Sequence, residues 1–206
     1  MAINYRFIFF AIFIFLFSGL DVNAQKENNS IICCFDSVLK QHTANYKCPT
    51  KIADGGNFAK RTFFIANMTA KSKMNVFILK NLNYPQWSDI IDWDSVRLYG
   101  LNTANDSYLI ASAPVKRASG LETNIFKWLI VSLSTKHHFI VESLSDNAGF
   151  FYLFNNELRF ELFDYSQQFL KERDYDNISL AISKYKVHHS TIKLLSTKNL
   201  ICNCSK

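Results

Sequence analysis

The alternation of apolar and polar residues predicts β-strands through the middle of the chain. Short runs rich in β-branched and aromatic residues are bounded by polar stretches, and several alternate with the period of a strand that buries one face. We predict strands at residues 62–66, 76–79, 96–99, 108–111, 125–133 and 139–141. These strands indicate a largely antiparallel sheet.

The clearest local signal is a β-hairpin at residues 150–162. Asn155 and Asn156 separate two apolar runs, and asparagine tolerates the positive φ that a two-residue turn requires. This turn puts four apolar side chains on one face, which we expect in the core: Phe151, Leu153, Leu158 and Phe160. The other face mixes charges with aromatic rings, so we expect it to be at least partly hydrated: Phe150, Tyr152, Phe154, Glu157, Arg159 and Glu161.

Helices are predicted at both ends of the sheet. An apolar stripe at helical spacing runs from Phe35 to Tyr46, and a short polar helix is expected at residues 165–173. A second stripe predicts an amphipathic helix that begins at Asp176: Ile178, Ala181, Ile182, Tyr185, His189 and Ile192. The expected class is therefore α+β, with a largely antiparallel sheet of about six to eight strands, an N-terminal helix and one or two C-terminal helices packed on it.

The first 24 residues have the pattern of a cleaved signal peptide. Arg6 precedes the apolar run at residues 7–17, and the segment ends in Val22-Asn23-Ala24. This run is shorter than the ~20 apolar residues that span a bilayer. We expect residues 25–206 to form a single globular domain that is secreted or periplasmic and has no membrane span after processing. An uncleaved N-terminal anchor is the alternative.

All five cysteines lie near the two ends: Cys33, Cys34, Cys48, Cys202 and Cys204. In an exported protein such cysteines are disulfide candidates first. A continuous helix would hold Cys34 and Cys48 about 20 Å apart, too far for a bridge, which needs Cα atoms within about 7 Å. We therefore expect one or two of the N-terminal cysteines to pair with Cys202 and Cys204.

Because five is odd, one cysteine is left over, and it is free, buried or joined to a second chain. A metal site built from Cys202, Cys204 and His188 or His189 is a weaker alternative, because the two cysteines have one residue between them and zinc sites usually have about two to four. No metal and no cofactor are expected.

Positive charge is concentrated at the C-terminal end. The net charge is +6, and five lysines but no acidic residue follow Asp176. Four of these lysines are candidates for binding an anionic macromolecule: Lys184, Lys186, Lys193 and Lys198. Nucleic acid is the less favoured partner, because these lysines are spaced out and lack interleaved arginine and aromatic residues. A solvated face that only aids solubility is the simpler interpretation.

Two clusters carry candidate chemistry. His138 and Glu142 share a face of a predicted strand, close to Lys136. In a hydrolase the histidine would take a proton, the carboxylate would orient it and the lysine would offset negative charge. An ordinary polar sheet face explains the same residues. Asp89, Asp92 and Asp94 flank Trp87 and Trp93, which would suit a carbohydrate or Ca²⁺, but the calcium-loop motif is absent and core packing of the tryptophans is simpler.

The sequence favours an exported interaction domain of the cell envelope or extracellular space, with an unknown macromolecular partner. No nucleophile elbow, phosphate-binding glycine loop or His-Glu-x-x-His motif is present. The alternative is a small secreted hydrolase that acts on an anionic substrate such as RNA. A third hypothesis is an oligomeric surface protein in which the odd cysteine bridges two chains.

Overall fold

The computed structural model describes residues 29–54, 63–65, 75–77, 84–104, 106–116, 125–174, 177–188 and 190–202. The predicted signal peptide at residues 1–24 lies outside these ranges, as do Cys204, His189 and the predicted helix start at Asp176.

The described residues form three helices and eleven strands, together with two short 3₁₀ turns at Trp93–Ser95 and Ala148–Phe150. The helices are α1 (29–43), α2 (Pro85–Ser88) and α3 (Gln167–Glu172). The strands are β1 (Thr50–Asp54), β2 (Phe63–Ile65), β3 (Asn75–Phe77), β4 (Arg97–Asn102), β5 (Ser107–Pro114), β6 (Phe126–Ser132), β7 (His138–Ser143), β8 (Phe151–Phe154), β9 (Glu157–Tyr165), β10 (Ile178–His188) and β11 (Thr191–Cys202).

Nine of the strands build two sheets, and β2 pairs with β3 in a short ribbon. The strand order is β1-β4-β5-β6-β7 in the first sheet and β11-β10-β9-β8 in the second. Neighbouring strands from β4 to β7 are antiparallel, as are β8 and β9. The broad α+β class with a largely antiparallel sheet is confirmed, but the strand count and the helix arrangement differ from the prediction.

The five-stranded sheet buries both of its faces. Leu98, Leu109 and Leu129 pack on one side against Trp87 and Ile91, which precede β4. On the other side, a larger set meets the four-stranded sheet: Tyr99, Leu101, Ile110, Trp128 and Ile130 pack with Phe151, Leu158 and Phe160. Because both faces are covered, β5 and β6 read as nearly continuous apolar runs and not as an alternating pattern.

The chain divides into two compact units. The terminal unit comprises Met1–Val38, Tyr165–Ala181 and Asn199–Lys206, and the central unit comprises Leu39–Asp164 and Ile182–Lys198. The central unit contains the whole five-stranded sheet and every residue of the sites described below, except for the Cys34–Cys202 disulfide of the terminal unit.

The predicted hairpin is confirmed, including its register. Phe151 pairs with Phe160 and Leu153 with Leu158, and both turn asparagines have positive φ, 50° at Asn155 and 62° at Asn156. The apolar face lies in the core, as expected. The prediction of a hydrated second face is wrong for its Tyr152 and Glu161 end, which is buried, because the end of α1 and the turn after it cover this part of the sheet.

The predicted amphipathic helix after Asp176 is wrong. Residues 178–188 and 191–202 are the strands β10 and β11. Ile178, Leu180 and Ile182 are buried at every second position, which is the period of a strand. The same segment also has apolar residues three and four positions apart, so its pattern fitted a helix equally well, and pairing with distant strands decided the outcome.

The other two predicted helices are present. Helix α1 buries Ile31, Cys34 and Val38, which recur at helical spacing. The short α3 begins where the Ser166 side chain accepts a hydrogen bond from the Phe169 N–H, and it ends at Arg173, whose φ of 53° is left-handed. A serine N-cap and a left-handed C-cap are ordinary helix boundaries.

A disulfide joins the beginning of the described chain to its end. Cys34 of α1 and Cys202 of β11 are bonded, with their Cα atoms 5.6 Å apart, and they are 168 positions apart in sequence. Cys33 is disulfide-bonded as well, whereas Cys48 is a free, half-buried thiol. The expected link between the two ends is therefore present, and Cys34 does not pair with Cys48. Because Cys202 belongs to this bridge, it is not a thiolate ligand for the alternative metal site.

Candidate functional site

The predicted hydrolase residues lie along β7 and the turn before it. His138 is exposed, and its ring lies 4.0 Å from that of Tyr84 between centroids. The Glu142 carboxylate forms an ion pair with Lys127 of β6, which is its register partner. Four residues along a strand separate His138 from Glu142, or about 13 Å. Strand geometry therefore holds this histidine and this carboxylate beyond hydrogen-bonding distance, and Lys136 lies in the preceding turn with a φ of 63°.

The aspartate and tryptophan cluster contributes to the fold. Trp87 is buried and Trp93 packs against the same core. The Asp92 carboxylate accepts a hydrogen bond from the Asp94 N–H at 3.2 Å and another from the Ser95 hydroxyl at 2.6 Å. The simpler interpretation of this cluster is confirmed for the tryptophans. Among the described residues, no group of three His, Cys, Asp or Glu side chains is placed to hold a metal ion.

The four candidate lysines fall into two classes. Lys184 and Lys186, on β10, donate to Glu161 at 3.0 Å and to Glu157 at 3.2 Å. Lys193 and Lys198 lie on β11, where both are exposed and neither forms an ion pair with a carboxylate of the described residues. Of the four candidates, Lys193 and Lys198 are therefore the two without a carboxylate partner among the described residues.

A buried polar cluster that the sequence did not predict lies under the end of α1. We call it the Glu161 cluster, and its members are His42, Tyr46, Tyr152, Glu161 and Lys184. His42 Nε2 lies 3.2 Å and Lys184 Nζ 3.0 Å from the same Glu161 oxygen, Oε1. The rings of His42 and Tyr46 stack on Tyr152, with centroids 5.0 Å and 4.6 Å away. A carboxylate thus bridges α1, β9 and β10.

Hydrogen bonds from His42 and Lys184 stabilise the ionised form of Glu161. Burial alone would raise the pKa of this carboxyl group, but hydrogen bonds from His42 and Lys184, together with their charge, bring its pKa below the usual value. Burial lowers the pKa of Lys184, but the Glu161 partner outweighs it and the net pKa is raised. Burial also raises the pKa of the Tyr152 hydroxyl. Each of these three groups is therefore held in its ordinary charge state.

The Glu161 cluster joins elements of the fold and is closed to a substrate. The side chains of His42 and Glu161 are 10% and 3% exposed. His42 Nδ1 and Glu161 Oε2 are buried without a hydrogen-bond partner in the part of the chain that is described, which is a cost in stability. The one sequence signal for this site was His42, a polar residue within an apolar helical stripe that needs a buried partner.

A long exposed stretch of the central unit is the part of β11 at residues 191–198, which we call the β11 edge. Strand β11 is the outermost strand of the four-stranded sheet. Every residue from Lys193 to Lys198 is exposed, including Leu194 at 51% and Leu195 at 38%. An edge strand has a row of N–H and C=O groups that are open to pairing with another chain. The β11 edge therefore combines open backbone groups, apolar side chains and two lysines that have no carboxylate partner in the described part of the chain.

No protein-family model, curated protein or solved structure matches the chain. Within the residues that the structure describes, none of the helices combines the length and the apolar character that crossing a membrane requires.

The free cysteine lies apart from the β11 edge. Cys48 Sγ is 3.7 Å from the carbonyl oxygen of Tyr46 and 3.9 Å from that of Gly149. Burial raises the pKa of this thiol, so it stays protonated at neutral pH. A protonated thiol is a poor nucleophile and a poor metal ligand, and we assign Cys48 no catalytic role.

Proposed function

We propose that the protein is exported from the cytosol and acts outside it as a binding domain, with the β11 edge as its binding surface. The observation that carries the proposal is the exposure of β11 from Lys193 to Lys198, on both faces of the strand, at the outer side of a sheet. Long exposed edge strands pair readily with other chains, and proteins normally shorten or cover them. A strand of this length that stays uncovered fits a surface kept for a partner.

Binding is favoured over catalysis because the carboxylates that could act as catalytic groups are held in ion pairs within the fold. Glu142 is occupied by Lys127, and Glu161 is occupied by His42 and Lys184. A general acid or base must come within hydrogen-bond reach of the proton it transfers. Neither carboxylate offers that arrangement, so we do not extend the proposal to hydrolysis.

Export is supported by the signal-peptide pattern and by the disulfide. A bridge between Cys34 and Cys202 is stable in an oxidising compartment and is rare in the cytosol. We expect the mature chain to begin at Gln25, to be found outside the cytosol and to carry no more than one thiol that reacts with iodoacetamide after denaturation. N-terminal sequencing and intact mass of fractionated cells measure this. An intact Met1 form in the cytosol with all cysteines alkylated would contradict it.

Site-specific photo-crosslinking in the native host tests the binding surface. A photo-reactive residue in place of Leu195 is expected to give a defined adduct, because this side chain is exposed on the β11 edge. The control has the same residue in place of Asp89, which is exposed elsewhere on the central unit. An adduct from position 195 alone supports the proposal. Equal labelling at both positions, or none at position 195, overturns it.

A further inference from the structure

We infer that the partner is a protein that adds an extended acidic segment alongside β11, as a fifth strand of the four-stranded sheet. This inference rests on the proposed binding function and specifies its partner. It follows from three properties of the β11 edge: its open backbone groups, the exposure of both faces, and its uncompensated positive charge.

The backbone of β11 is suited to strand addition. Its inner side belongs to the ladder with β10, and the Ser183 and Thr197 hydroxyls lie 3.0 Å apart across that pair. Its outer side has no neighbouring strand in the described sheet. The eight residues of the β11 edge would pair with about 26 Å of an extended segment. Main-chain hydrogen bonds give such added strands their affinity.

The side chains of the β11 edge call for a partner that covers both faces. Leu194 and Leu195 are adjacent in the strand, so they project to opposite faces. Both are exposed, as are Lys193 and Lys198 on either side of them. An added strand with apolar residues on each face would bury both leucines next to its own side chains. A polysaccharide or a nucleic acid would use the lysines but would leave the leucines and the backbone groups uncovered.

The positive charge of the β11 edge favours a partner strand that carries acidic residues. Lys193 and Lys198 have no carboxylate partner among the described residues, and the chain has no acidic residue after Asp176. Opposite charges directly across from each other favour strand pairing, and like charges oppose it. A second copy of this chain would bring two more lysines and no carboxylate to the same seam. An acidic strand supplies the missing charges.

Fluorescence anisotropy with defined peptides tests the inference on the mature full-length chain. The probe is a ten-residue labelled peptide that repeats Glu-Glu-Val-Thr. Each face of the extended peptide then carries glutamates, as required because Lys193 and Lys198 lie on opposite faces of β11. Two comparison peptides replace the glutamates with lysines, or methylate the backbone nitrogens on one edge. We expect the acidic peptide to bind, with an affinity that falls as salt is raised. The lysine peptide and the methylated peptide should bind more weakly, because they lose the charge pairs or the backbone hydrogen bonds.

Charge reversal on the strand provides the matched comparison. The variant K193E/K198E is expected to lose about tenfold in affinity for the acidic peptide, because two cross-strand charge pairs become repulsive, and to gain affinity for the lysine peptide. The control K40E/K116E makes the same change in net charge at two exposed lysines away from β11, and it should change the affinity by less than about twofold. Unchanged circular dichroism and melting temperature would show that both variants fold.

Several outcomes would overturn the inference. Equal binding of the methylated and unmethylated acidic peptides would rule out strand addition. Equal losses of affinity in the two charge variants would rule out the β11 edge as the binding site. In the host crosslinking experiment, a Leu195 adduct to a second copy of the chain, or to a partner segment without acidic residues, would also overturn it and leave the binding function intact. Absence of any adduct from position 195 would instead contradict the proposed binding function itself.

Discussion

Replacing Glu161 with glutamine is expected to destabilise the protein by about 3 kcal/mol, because removing one member of a buried ion pair leaves the others uncompensated. The Glu161 carboxylate is 3% exposed and accepts from both His42 and Lys184 through one oxygen. A glutamine oxygen offers no charge to these two donors. Urea unfolding of the mature chain followed by circular dichroism measures the loss.

Glu157 provides a matched control on the same strand. Its carboxylate also accepts from two donors, Arg159 and Lys186, each at 3.2 Å, but it is 40% exposed. Solvent screens such a pair, so Glu157→Gln should cost less than about 1 kcal/mol. Equal losses of stability in the two variants would show that burial does not increase the contribution of the Glu161 cluster to the free energy of unfolding.

The effect of Glu161 on stability should also depend on pH with a defined sign. Its pKa is lower in the folded protein than the ordinary carboxyl value. Ionised Glu161 therefore contributes its full stability above the ordinary carboxyl pKa, and the contribution disappears as pH falls through the lower folded pKa. The difference between wild type and Glu161→Gln should shrink below about pH 4. A constant difference at lower pH would contradict this linkage.

Replacing Cys33, Cys34, Cys202 and Cys204 with serine is expected to cost up to about 5 kcal/mol. This variant removes the Cys34–Cys202 disulfide, which constrains a very long loop in the unfolded chain, together with the bond that Cys33 forms next to it. Cys34 and Cys202 are 168 positions apart in sequence, and loop-closure entropy grows with that length. Urea unfolding of this variant, compared with that of the disulfide-bonded wild type, measures the loss of stability. Cys48→Ser is the control, because this thiol is free and half-buried, and it should change stability by less than about 1 kcal/mol.

An unfolding midpoint of the four-serine variant equal to that of Cys48→Ser would contradict the prediction. In that case the long loop between the two ends would contribute little to the stability of the protein.

Local signals in the sequence predicted the elements that local forces determine. The Asn155-Asn156 turn fixes its own backbone angles, so the hairpin and its register follow from a few neighbouring residues. The central strands were predicted because β-branched and aromatic runs between polar residues leave few alternatives. Helix α1 followed from a stripe whose period fits only a helix.

Features that depend on distant residues were not predicted. The segment after Ile178 has apolar positions that fit a helix as well as a strand, and its pairing in the order β11-β10-β9-β8 decides between them. The burial of Glu161 depends on His42, which is far away in sequence. Charge asymmetry did point to Lys193 and Lys198, but their place on an open edge depends on strand order, which no local pattern encodes.

The Cys34–Cys202 bond also has a mechanical consequence. Its Cα atoms are 5.6 Å apart, although the two cysteines are 168 positions apart along the chain. If tension were applied between the two ends of the polypeptide, the load would pass through the sulfur atoms and bypass everything from Phe35 to Ile201. A domain fixed at one end and pulled at the other would keep its sheets folded under forces that extend an unbridged chain.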